Sequence, residues 1–181
     1  MAINSNPANA AANSITTVFF SMGLASLAAS LSRVPRITWP HFAFVGFFVA
    51  FRLKMYLDDL KFLAGSTQRD GWFKTGFVVG VVSWFFWIVA AMNLTELRDT
   101  LLPMLIAVSL DTLWVAIEGF KSHWRESHLH WLIINLIYVG SLGISRFVWR
   151  PTPGTMGIIF ILFVVIQIFD FAASKSLSAL D

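Results

Sequence analysis

No cysteine occurs among the 181 residues. Disulfides, thiolate metal sites, iron–sulfur clusters and cysteine nucleophiles are thereby excluded. Charge is scarce as well, at 13% of residues against 57% hydrophobic. With a mean hydropathy of +0.72, such a chain is not a soluble globular domain. There is no GxxxxGK(S/T), no HExxH and no GxSxG, so P-loop, zinc-protease and α/β-hydrolase chemistry lack their residues. The last apolar segment has no internal lysine for a rhodopsin-like Schiff base, and no basic residue recurs at every third position as in a voltage sensor. MAINSNPANAAANS carries no Lys or Arg ahead of the first apolar segment, so it lacks the positive start of a signal peptide and the segment is expected to be retained. No internal repeat relates the first three apolar segments to the last three, which weakens an inverted-repeat transporter reading.

What is present is apolar length. The hydrophobic residues gather into segments of about 17–25 residues, enough to cross roughly 30 Å of hydrocarbon. The expected fold class is all-α, a polytopic integral membrane protein built as a bundle of six transmembrane helices. These fall at about 15–31, 40–63, 73–93, 100–120, 131–145 and 155–173. They make one domain over 15–175, between a flexible tail 1–14 and a short tail 176–181. Pro40 suits a helix first turn, and Trp39, Trp72, Trp131 and Trp149 sit at helix ends as interfacial aromatics do. Ser21, Ala25 and Ala29 in helix one, and Gly76, Gly80 and Ser83 in helix three, recur at spacings that let another backbone come close. Those two small-residue faces are where a second copy or a partner subunit is expected to dock, alongside membrane lipids.

Charge concentrates in Phe51–Phe62, FRLKMYLDDLKF. Ionisable groups at membrane depth are costly and mark functional sites by default. Arg52 and Asp59 are seven residues apart and share a helix face, while Lys54, Asp58 and Lys61 take roughly the opposite one. Lys54 and Asp58, at i and i+4, can neutralise each other. The plainer alternative is that Arg52 and Lys54 snorkel to the interface with the rest in water.

Six alternating helices put the ends of helices two, four and six and the start of helix five on one membrane side. That side gathers Arg52, Lys54, Asp58, Asp59, Glu118, Asn135, Gln167 and Asp170, with Asp111 at mid-depth. A polar vestibule opening to that side is expected. Asp111, Trp114 and Glu118 line one face of helix four, and Trp131, Asn135, Tyr138 and Ser145 one face of helix five. Asp111 would cost on the order of 3 kcal/mol unless paired, protonated or facing water. A salt bridge to Arg52 or Lys54 is the simplest relief. Trp114 and Tyr138 are expected to shape a pocket, since aromatic walls around a few polar groups form small-ligand sites. His123, His128 and His130 share one short loop with no second group of ligands, so no metal site is expected.

The string Leu57-Asp58-Asp59-Leu60-Lys61 resembles the first acidic motif of UbiA-type membrane prenyltransferases, which hold Mg²⁺ and a diphosphate on two aspartate-rich motifs. The resemblance spans under a dozen residues, and a second such motif is absent.

The leading functional expectation is a transporter or channel subunit for an ion or small solute. Its pathway residues would be Asp111, Arg52, Lys54, Asp58, Asp59, Trp114, Glu118, Asn135, Tyr138 and Asp170. The alternatives are a non-catalytic membrane subunit or assembly factor, and an intramembrane enzyme acting on a lipid-linked substrate through Asp58 and Asp59. No catalytic residue, cofactor or metal is indicated, and a net charge of +3 gives no reason to invoke nucleic acid. A bacterial inner membrane is the expected setting. Orientation has little to rest on: the basic residues divide five against six between the two sides, where the positive-inside rule needs a clear excess.

Overall fold

The structure is a computed structural model that describes residues 7–65, 71–121 and 126–174, with side chains over 11–60, 75–120 and 128–172. The expected turn Gly65–Asp70, Lys61, Trp72, His123 and the terminal tails fall partly or wholly outside the described residues. Among the described residues six α-helices follow one another: α1 Pro7–Leu31, α2 Trp39–Gly65, α3 Gly71–Met92, α4 Leu97–Lys121, α5 Glu126–Gly143 and α6 Pro153–Ser174. A π-helical turn, Ile144–Val148, prolongs α5 and closes with Trp149 N–H donating to the Ile144 carbonyl at 2.7 Å. No strand occurs among the described residues. The helices expected from apolar length are all present. α1 differs most, beginning at Pro7 rather than Ile15, because ANAAANS is rich in alanine, the best helix former, and proline is well placed at a helix start.

Local chemistry sets the starts of α2 and α6. Thr38 precedes α2, and its N–H donates to Nδ1 of His41 at 3.2 Å. His41 thus fills the role that Glu or Gln takes in a capping box. At α6, Thr152 Oγ1 accepts the N–H of Thr155 at 3.3 Å, with Pro153 at the first helical position where its missing N–H costs nothing.

Around the bundle the neighbours run α1, α2, α6, α5, α4 and α3, and α3 returns to α1. The centre is aromatic. Phe47 of α2 is fully buried and lies against Trp87 of α3, Tyr138 of α5 and Phe160 and Phe163 of α6. Phe51 continues the contact toward Trp87 and Tyr138. The outside is apolar too: Phe120, Phe147, Val148 and Phe169 are exposed, while Arg52, Lys54, Asp59, Asp111 and Asp170 are buried. That inversion of the soluble pattern is what hydrocarbon as solvent demands. Among the described residues, five helices (α1, α3, α4, α5 with its π turn, and α6) are long and apolar enough to cross a membrane. The fold is that of a membrane-embedded helical bundle. α2 is the longest helix at 27 residues, and its charged run keeps it out of that set.

Two glycines admit tryptophans into helix contacts. A Cβ on Gly80 of α3 would sit 2.7 Å from the ring of Trp114 on α4, and one on Gly157 of α6 2.3 Å from the ring of Trp39. The helix-three small-residue face is therefore filled inside the chain, by Trp114. The two sites should respond differently to alanine. Trp114 is 9% exposed and packed, whereas Trp39 is 49% exposed and has room to swing outward. Gly80→Ala should cost about 1–3 kcal/mol, the usual range for overpacking, and Gly157→Ala well under half of that. Denaturant or thermal unfolding in one detergent would compare them, and equal losses would contradict this account of Trp39.

Candidate functional site

α2 carries two polar clusters on opposite faces, because Arg52 and Lys54 stand two residues, about 200°, apart on the helix. Against α3 and α4 it turns Arg52 and Asp59. Both are buried, and the carboxylates facing the Arg52 charge are Asp111 and Asp59. Asp111 is held from α3: Ser83 Oγ donates to its Oδ1 at 2.5 Å and Trp87 Nε1 to its Oδ2 at 3.1 Å. Arg52 Nη1, Asp59 Oδ2 and, on α3, the indole N–H of Trp84 find no hydrogen-bond partner among the described residues. Buried polar atoms are seldom left so, and unpartnered ones mark places where water or a ligand is accommodated.

Against α5 and α6 the same helix turns Lys54, 1% exposed. Its ammonium pairs with Asp58 one turn on, and lies 3.3 Å from Asp170 Oδ2 on α6. It also stands 4.3 Å from the ring centroid of Trp131 on α5, within reach of a cation–π attraction. Asp170 further accepts from Gln167 Nε2 at 3.2 Å and lies 3.3 Å from His130 Nε2. Gln167 Oε1 accepts from the hydroxyl of Tyr138 at 3.1 Å, and that hydroxyl is also 3.3 Å from the Phe163 carbonyl. Asn135 stands beside them, buried, with its Nδ2 unpartnered among the described residues.

The expected salt bridge of Asp111 to Arg52 or Lys54 does not form among the described residues: Asp111 is held by Ser83 and Trp87 with the Arg52 charge acting on it, and Lys54 is committed to the other face. The single vestibule resolves into two clusters with α2 between them. The space between α2, α5 and α6 measures only about 10 Å³, room for one water rather than an open mouth. Trp114 and Tyr138 do not share a pocket: Trp114 lies on Gly76 and Gly80, and Tyr138 is in the aromatic core. Glu118 sits on the same side as Trp114, its Oε1 3.4 Å from where a Cβ on Gly76 would be. Asp58 and Asp59 diverge, one to Lys54 and the other toward Arg52. They do not fit a shared Mg²⁺ and diphosphate, and no group of three His, Asp or Glu able to hold a metal exists among the described residues.

Five participants were missing from the sequence-derived site; Trp131, which stands against Lys54, read as an interfacial aromatic. Ser83 and Trp87 read as packing residues, although they lie four apart on the α3 face that meets Asp111. Gln167 was expected on the same side as Asp170 but not in the site, and His130 only as a loop histidine. The spacing of Gln167 and Asp170, three residues, was the available signal, since such pairs meet on a helix.

Comparison with protein-family models, with curated proteins and with solved structures finds no match to this chain.

Proposed function

We propose that the chain is a membrane transport protein, a transporter or channel subunit in a bacterial inner membrane, moving an ion or small solute along α2. One observation carries the reading: mixed-charge clusters are buried on both faces of a helix inside an otherwise apolar bundle. Charges at such depth are expensive and are typical of ion and proton pathways. The polar clusters occupy the part of α2 beyond Phe51, and the aromatic core around Phe47 closes the other part. Passage then requires those rings to part, as in alternating access.

The test is flux in proteoliposomes under an imposed gradient, with potassium, sodium, protons and small neutral solutes tried in turn. Flux above that of protein-free vesicles is expected, falling more than tenfold in Arg52→Gln. Folded, reconstituted protein that passes none of these would sink the proposal.

A second reading has its own support. Ser21, Ala25 and Ala29 are exposed along α1, so a partner helix could approach closely there. In that case the protein is a non-catalytic subunit, and it should co-purify with a membrane partner that Ala25→Leu releases. The divergence of Asp58 and Asp59 leaves the lipid-linked enzyme as the least supported alternative.

A further inference from the structure

The groups around Asp170 form a connected series from the bundle surface to its core. His130 is 44% exposed, and its Nε2 lies 3.3 Å from Asp170 Oδ1. The other carboxylate oxygen meets Lys54 and Gln167, and Gln167 meets the fully buried hydroxyl of Tyr138. Beside this series is the cavity of about 10 Å³, lined by Lys54, Asn135, Gln167, Asp170 and Trp131 among others. Asn135 is 4% exposed and presents a donor with no acceptor among the described residues. One water oxygen would satisfy it.

Resting on the transport reading above, we infer that the Asp170 cluster is a proton-binding port, with His130 as its outer relay and the cavity water as its inner one. The donor set selects the ligand. Lys54, Asn135 and Gln167 line the space with N–H-bearing groups, a poor donor set for a metal cation, while the Asp170 carboxylate repels an anion. A proton needs only one carboxylate oxygen. In the step itself His130, protonated from water, gives up its Nε2–H bond as Asp170 Oδ1 gains an O–H bond. Imidazolium and carboxylate become neutral imidazole and neutral acid, and no other atom changes hands. The neutral acid no longer attracts Lys54, which remains with Asp58, and the ammonium shifts relative to Trp131.

The charged and titratable surroundings are these. α2 contributes Lys54 and Asp58, α5 contributes His128, His130 and Tyr138, and α6 has no second titratable side chain among its described residues. Asp111 and Glu118 of α4 face α3 instead.

Two measurements test the port. Vesicles loaded with a pH-sensitive dye and given a valinomycin-clamped potassium gradient report proton entry. Wild type should acidify the lumen, Asp170→Asn should lose the signal more than tenfold, and His130→Gln should slow it several-fold. His130 is exposed enough for that variant to fold. In detergent, tryptophan emission should change with pH, and the change should vanish in Trp131→Phe and in Asp170→Asn. Proton entry unaltered in both charge variants overturns the port. Wild type that passes potassium or a solute but no protons also overturns it, while leaving the transport reading intact. If nothing at all is transported, the transport reading falls and the emission titration decides: a Trp131 transition that depends on Asp170 upholds proton binding, and its absence ends it.

Discussion

Replacing Lys54 by Met should cost about 3–5 kcal/mol of stability, the usual result of removing one partner of a buried ion pair. Lys54 is 1% exposed and stands between Asp58 on its own helix and Asp170 on α6. Methionine is close in length, so little packing is lost, and the loss comes from two carboxylates left without their cation. The same logic predicts a partial rescue. In Lys54→Met with Asp170→Leu, the buried charge on α6 goes as well, and more than half of the lost stability should return. Unfolding titrations of the single and double variants make the measurement. A single variant within about 1 kcal/mol of wild type would mean that water already reaches the pair, since exposed pairs are worth roughly that little.

Phe47→Ala is the second large effect, at about 3–5 kcal/mol by comparison with other buried phenylalanines. Four helices meet at this ring, and none of its surface is exposed. Lipid tails are as apolar as the core, so the loss comes from vanished dispersion contacts and the cavity rather than from water exclusion. The lower end of the range is therefore the better guide. The variant should also leak: with the ring gone, the polar part of α2 is separated from the far side by less packing, and passive flux should rise several-fold in vesicles. Phe47→Leu should restore most of the stability and most of the seal. A Phe47→Ala protein as tight as wild type would show that the barrier lies elsewhere.

The helices were legible because each apolar segment is long enough to span hydrocarbon and is punctuated by Pro, Gly or polar turns. The divergence of the charges on α2 was legible as well, since Arg52 with Asp59, and Lys54 with Asp58, follow from helical angles alone. The cross-bundle partners were not. Whether Lys54 meets Asp111 or Asp170 depends on which helices flank α2, and that order rests on contacts across the bundle such as those of Phe47 and Phe51 with Trp87 and Tyr138. No local pattern encodes it. Ser83 and Trp87 were hidden for a related reason. A serine beside glycines reads as close packing, and an indole in an apolar helix reads as filler, until a carboxylate is placed opposite. The π turn at Ile144–Val148 has no periodic signature, and α5 was expected simply to stop near Ser145.

The ion pair between α2 and α6 also bears on how the chain enters the bilayer. α2, carrying Arg52, Lys54, Asp58 and Asp59, is synthesised well before α6, which carries Asp170. At roughly 5–20 residues per second, the lysine waits on the order of 10 s for its second carboxylate, Asp170. During that interval α2 is too polar to settle among lipids on its own account. Asp58, one turn on, can neutralise the lysine until α6 supplies Asp170. α2, on the ring between α1 and α6, thus gains its link to α6 only late in synthesis.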